Sequence, residues 1–154
     1  MARPEWMARE PMNEDSPRSM PEPPLKERMR VLLAEDHPLM RHMLCAALIR
    51  EGYEVIEVED GPSLIRALIL GLLADRARAP DLIISDVRMP GLTGLEVLAR
   101  LRREDWKTPV ILMTAFGGQE LHAEAARLGA TRVLDKPFEL EELRAAVRGL
   151  LEPH

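Results

Sequence analysis

Three short apolar runs end in residues that can do chemistry, and a fourth leads into one. Val31-Leu32-Leu33-Ala34 is followed by the pair Glu35-Asp36, and Leu82-Ile83-Ile84 leads to Asp86. Val110-Ile111-Leu112-Met113 ends at Thr114, and Arg132-Val133-Leu134 precedes Lys136. If the runs lie side by side, three carboxylates, a hydroxyl and an amine meet in one crevice. Carboxylates crowded in this way repel and raise one another's pKa unless a cation holds them. An all-oxygen donor set of this kind suits Mg²⁺, which takes one or two carboxylates and keeps several waters. A lysine supplies a mobile point charge for a phosphoryl oxygen, and a threonine a hydrogen bond to another. An aspartate carboxylate can act as the nucleophile that forms an aspartyl-phosphate. The set points to a Mg²⁺-dependent phosphoryl-transfer site.

The elements that must bring these residues together are legible in the period of the apolar positions. Pro38 opens a helical stretch with Leu39, Met43, Leu44, Ala47 and Leu48 on one face, stopped by Gly52. Tyr53 to Val58 reads as a strand. Pro62 opens a second helix that runs to about Arg78. Gly94 to about Arg103 is a helix with Leu95, Leu98 and Leu101 facing in. Residues 118–128 form another, closed by Gly129, and Leu140, Leu143, Val147 and Leu150 mark the last. Five strand–helix units with continuously apolar strands imply an α/β fold, a doubly wound five-stranded parallel sheet with five helices covering both faces. Such folds gather functional groups at the carboxyl ends of the strands.

Bulk composition bounds the alternatives. The 154 residues hold one domain of ordinary size. Aromatic residues make up only 3% of the chain, so the core has to be aliphatic. A net charge of -5 argues against nucleic-acid binding through a basic field. No run approaches the apolar length of a membrane span. The single cysteine, Cys45, sits in an apolar helical pattern and reads as core packing in a reduced, cytoplasmic setting. His37 beside the acidic pair is a loop residue, since Mg²⁺ disfavours imidazole. Residues 1–28 carry six prolines and few large apolar side chains, and are expected to be a disordered extension before a folded unit at 29–152.

The stretches Val31–Asp36, Asp86-Val87-Arg88-Met89-Pro90-Gly91 with Gly94 following, Met113-Thr114-Ala115, Gly129-Ala130 and Lys136-Pro137-Phe138 together resemble the receiver domains of two-component response regulators. Each is weak alone; five in order over about residues 29–151 are specific. The resemblance implies a flavodoxin-like sheet of order 2-1-3-4-5 and a cis Lys136-Pro137 bond. It implies Asp86 as phosphoacceptor, with Asp36, Asp86 and the Arg88 backbone carbonyl as Mg²⁺ ligands and Glu35 in support. Thr114 and Lys136 are then the phosphoryl ligands. The implied phosphodonor is a sensor histidine kinase or a histidine phosphotransfer protein. With no output domain expected after Leu151, the output is a contact with another protein, its identity unknown.

One departure concerns Val133, where family members carry an aromatic residue; it leaves a phosphorylation-independent pseudo-receiver as the alternative. A rival aspartyl-nucleophile phosphatase needs a second aspartate two residues beyond the first, a pattern absent from Glu35-Asp36-His37-Pro38. A second departure is the long apolar run after Pro62. Leu64, Ile65 and Leu68 suffice to cover the sheet, yet Ile69-Leu70-Gly71-Leu72-Leu73 follow. Either this extension is covered by its own core edge or by the segment around Trp6, or Ile69, Leu70 and Leu73 form a self-association or partner surface.

Overall fold

The computed structural model describes residues 28–74 and 79–152, and of 71–74 the backbone only. The elements follow in strict alternation: β1 (Arg30–Ala34), α1 (Pro38–Arg50), β2 (Glu54–Val58), α2 (Gly61–Ala74), β3 (Leu82–Asp86), α3 (Gly94–Arg103), β4 (Val110–Thr114), α4 (Gln119–Leu128), β5 (Arg132–Asp135) and α5 (Leu140–Leu151). All strands are parallel, in the order β2-β1-β3-β4-β5. Both the doubly wound α/β class and the flavodoxin-like order expected from the sequence are therefore present.

The continuous apolar runs are explained by two cores, one on each face. Successive strand residues point to opposite faces. Val31, Leu33, Leu82, Ile84, Ile111 and Met113 pack against α1 and α5. Leu32, Ala34, Ile83, Val110 and Leu112 face α2, α3 and α4 instead. Every residue of β1, β3 and β4 is buried, whereas the edge strand β2 is half-exposed. Aliphatic side chains fill nearly all of this volume, as the scarcity of aromatics required.

Local signals set the helix ends. Thr93 caps α3 with a reciprocal pair of bonds: its hydroxyl accepts from the Glu96 N–H at 3.1 Å, and Glu96 accepts from the Thr93 N–H at 3.2 Å. Gly129 closes α4 in the left-handed region at φ 95°. The α2 helix begins one residue before Pro62, and Asp60 accepts from the Ser63 N–H at 2.7 Å in front of it.

One expectation needs correction. Leu39 and Met43 do not lie on the buried face of α1; they are 76% and 49% exposed. The buried stripe is Leu44, Cys45, Ala47 and Leu48. At about 100° per residue Leu39 points away from Leu44 and Leu48, while Met40 in the same turn packs on the core. Leu95 is half-buried against the core, and Val97 joins Leu98 and Leu101 on the buried stripe.

In α2, Leu64 and Leu68 are buried as expected, and Ile69 and Leu70 stand 50% and 58% exposed. Leu73, the end of α2 toward Arg78, Trp6 and residues 1–27 of the expected extension lie outside the described residues. Cys45 is buried, and burial, with Glu57 beside it, pushes its thiol up to about 11. That suits a packing role and suppresses thiolate reactivity.

Candidate functional site

The parallel sheet delivers the carboxyl ends of β1, β3 and β5 to one edge, and the chemistry-bearing residues follow. Lys136, one residue past β5, places its ammonium 2.6 Å from Asp86 Oδ2 and 2.8 Å from Glu35 Oε1. Asp36 sits exposed at the mouth, and one oxygen from each of Glu35, Asp36 and Asp86 falls within 4.8 Å of the others. A cleft of about 480 Å³ opens over this group. The Lys136-Pro137 bond is cis, as the family resemblance implied.

Backbone donors fix the two buried carboxylates. The Arg88 N–H donates to Asp86 Oδ1 at 3.1 Å, and the His37 N–H to Glu35 Oε2 at 3.1 Å. Arg41 Nη1 donates to the Glu35 carbonyl at 2.9 Å, tying α1 to the acidic turn. The Lys136 N–H donates to the Thr114 carbonyl at 2.7 Å, setting the lysine's starting point beside β4.

The electrostatics match a site built to hold charge. Burial pushes the Glu35 carboxyl above its ordinary range, against the lowering pull of Lys136 and the His37 N–H. For Lys136, burial works to lower the pKa, but hydrogen bonds to Asp86 and then Glu35 outweigh it and hold it above the usual lysine value. Three oxygen donors with a single ammonium among them leave the cluster net negative. That donor set, hard and free of sulfur or imidazole, fits Mg²⁺.

Glu35, Asp36, Asp86, Arg88 and Lys136 thus meet in one cleft. Thr114 is buried at the end of β4, and its hydroxyl accepts from the Phe116 N–H at 3.2 Å. His37 lies on the rim as a loop residue and caps α1 without a side-chain bond. His42 is exposed, and His122, on α4, makes a 2.9 Å contact with Asp135. Val133 is half-buried and packs on the core beneath α3 and α4.

Sequence reasoning missed the cleft's apolar rim. Leu39, Met40 and Met43 from the first turns of α1 face Phe116, 71% exposed, across the opening. The Arg88 guanidinium lies 4.6 Å from the Phe116 ring centre. An aromatic side chain directly after Thr114-Ala115 and before two glycines was the available signal.

A five-stranded 2-1-3-4-5 sheet with acidic residues and a lysine at its carboxyl edge defines a class of phosphoacceptor-like α/β switch domains. Comparison narrows this to a family: residues 31–148 match the response regulator receiver domain, and the chain belongs to that family. It is 41% identical over 123 residues to the transcriptional regulatory protein TctD of Salmonella typhimurium, covering 80% of this chain and 52% of TctD. It is 37% identical to the regulatory protein AtoC of Escherichia coli over 80% of this chain and 25% of AtoC. The chain spans about half or less of such curated relatives. Among solved structures, the chemotaxis protein CheY4 of Vibrio cholerae superposes with a TM-score of 0.70 at 32% identity, covering 80% of this chain and 99% of that one. A Francisella response regulator receiver domain gives 0.70 at 29% identity, covering 80% and 96%. Phosphorylation and Mg²⁺ binding are general features of this family, and no helix among the described residues is long and apolar enough to cross a membrane.

Proposed function

We propose that this chain accepts a phosphoryl group from a phosphohistidine of a sensor kinase or histidine phosphotransfer protein onto Asp86, and switches its contacts with another protein as a result. The observation that carries the reading is the contact of Lys136 with both Asp86 and Glu35, in a cluster where three carboxylates share one cavity. A P–N bond of the donor breaks, a P–O bond to an Asp86 carboxylate oxygen forms, and the histidine nitrogen leaves with the electron pair. Glu35, Asp36, Asp86 and the Arg88 carbonyl would hold Mg²⁺, which supplies charge neutralisation for the phosphoryl oxygens.

Lys136 is placed to exchange its bond to Asp86 for one to a phosphoryl oxygen, leaving Glu35 as its anchor. The Thr114 hydroxyl, at the neighbouring strand end, is the second phosphoryl ligand. The Arg88 N–H holds Asp86 Oδ1 and so orients the carboxylate in the cleft. The chain acts as a signalling phosphoacceptor that assists its own phosphorylation and dephosphorylation, not as an enzyme with a separate substrate. Residues 29–152 form the receiver unit in this reading, with 1–28 an extension to it. The reduced Cys45 supports a cytoplasmic setting.

Mass measurement after incubation with Mg²⁺ and acetyl phosphate tests the proposal. Wild type should gain one phosphoryl group and Asp86→Asn none; full labelling of Asp86→Asn would end the assignment. The same measurement decides against or for the pseudo-receiver that Val133 suggests, since that protein would gain nothing. Asp36→Asn is expected to weaken Mg²⁺ binding by about tenfold, the equivalent of ~1.4 kcal/mol, because one carboxylate ligand is lost. Titration of Mg²⁺ followed by thermal melting reads this directly: the Mg²⁺-induced rise in Tm should need correspondingly more ion. An unchanged titration curve would remove Asp36 from the ligand set.

A further inference from the structure

A second concave feature lies away from the acidic cleft. Between α3 and α4 runs a groove of about 550 Å³, from Leu92 in the loop after β3 to Arg103 at the far end of α3. Leu92, Ala99 and Leu128 give it an apolar floor. Its walls carry Arg100, Arg102, Arg103 and Arg127 against the one carboxylate of Glu96. Four guanidinium groups on one groove stand out in a chain of net charge -5.

The arginines fall into two kinds. Arg102 bridges the helices, donating to the Trp106 carbonyl at 2.6 Å and the Gly129 carbonyl at 2.8 Å. It fixes the spacing of α3 and α4, so the groove is preformed. Arg127 holds Glu124 through two bonds of 2.6 and 3.0 Å. Glu96 is occupied by its cap on Thr93. Arg100 and Arg103 are exposed and make no ion pair with any described residue. Basic residues in a last helical turn complement the helix dipole, worth only tenths of a kcal/mol at an exposed site. That covers the arginines in the last turns of α3 and α4 one by one; it leaves unexplained that two of them, Arg100 and Arg103, stand without an ion pair among the described residues beside the half-buried Leu92, Ala99 and Leu128.

We infer that this groove is a docking surface for an acidic, apolar-anchored helical segment of a partner protein. A short helix laid along α3 would set apolar side chains on Ala99 and Leu128 and its carboxylates against Arg100 and Arg103. A small anion would leave the floor unused. A second copy of this chain could meet the groove only through a different surface, because a concave lining with four arginines and one carboxylate does not complement itself. The near end of the groove touches Leu92, whose loop connects Asp86 to Gly94, so the occupant lies against the segment that leaves the phosphoacceptor. The surface itself does not depend on the phosphoacceptor reading.

The test uses the full chain, ¹⁵N-labelled, and a fluorescent peptide of about ten residues, the length of α3 at ~1.5 Å per residue. Leucines at helical spacing alternate with glutamates; a control peptide has every glutamate replaced by lysine. The acidic peptide should bind saturably and weaken with added salt. Amide shifts should centre on Ala99 and Leu128 and spare Met40 and Met43. The pair Arg100→Glu with Arg103→Glu should lose affinity about tenfold, and the milder pair Arg100→Gln with Arg103→Gln should fall between. Both should melt like wild type and gain a phosphoryl group from acetyl phosphate as it does, which separates failure here from failure of the acceptor site. No saturable binding, equal binding of the basic peptide, equal binding by the charge-reversed pair, or shifts centred elsewhere would each overturn the proposal. So would concentration-dependent self-association that the charge reversal abolishes, because that would make the occupant a second copy.

Discussion

Replacing Lys136 with methionine is expected to destabilise the Mg²⁺-free protein by about 3 kcal/mol, the low end of what removing one partner of a buried ion pair costs. The lysine side chain is 17% exposed and touches the Glu35 and Asp86 carboxylates, 1% and 10% exposed. Methionine keeps most of the packing but leaves both carboxylates facing each other. The cost stays at the low end because burial raises the Glu35 pKa and Lys136 opposes that rise, so proton uptake at Glu35 becomes easier once the lysine is gone. The sign for Lys136 agrees: with a folded pKa above the ordinary lysine value, its contribution is present at neutral pH and is lost only as pH rises through that higher value. Urea denaturation with a chelator and again with excess Mg²⁺ checks this. The gap between variant and wild type should narrow markedly with the ion, since bound Mg²⁺ takes over the neutralisation. A variant as stable as wild type in chelator would mean the lysine contact contributes nothing to the fold.

The second large effect comes from a residue with no side chain. Gly94 opens α3 against the end of β3, and a Cβ built there falls 2.6 Å from the Asp86 carbonyl oxygen. Leu112 Cδ2 and Ser85 Oγ follow at 3.1 and 3.2 Å. The first neighbour is backbone and cannot swing away, and the Gly94 N–H is bonded to the Val87 carbonyl at 2.9 Å. Gly94→Ala therefore has to push α3 off the strand end. A loss of about 2–3 kcal/mol is expected, the upper range for forcing extra atoms into a packed site. The strand end that moves carries Asp86, so the rate of phosphoryl gain should fall as well. Gly149→Ala on α5 is the control, because its added Cβ meets open space; it should gain up to about 1 kcal/mol from helix propensity. Equal stability of Gly94→Ala and wild type would contradict the contact.

How far the sequence reached can be traced residue by residue. The strands were legible because Val31–Ala34, Leu82–Ile84 and Val110–Met113 are apolar on both faces, which only a sheet covered twice requires. Parallel pairing then forces Glu35, Asp86 and Lys136 to a common edge, so the site followed from the fold. In α1 the expected face was drawn too wide: Leu39 and Met43 lie about 140° and 100° around the helix from Leu44 and rim the cleft instead. Phe116 and Arg41 were missed for another reason. Their roles come from loop contacts, the Arg88–Phe116 stacking and the Arg41 bond to the Glu35 carbonyl, and these leave no periodic trace. The groove between α3 and α4 depends on Arg102 spanning 27 residues to Gly129, a pairing no local pattern announces.

Whether Asp86 carries the phosphoryl group is decided by incubating the full chain with Mg²⁺ and acetyl phosphate, reducing the product with borohydride, and mapping the peptides by mass. An aspartyl-phosphate is converted to homoserine, so the modified position is read from the sequence itself. Homoserine is expected at position 86 alone, with none when Mg²⁺ is chelated. Homoserine at another carboxylate such as Asp36, or no conversion at any position in the presence of the ion, would contradict the Asp86 assignment.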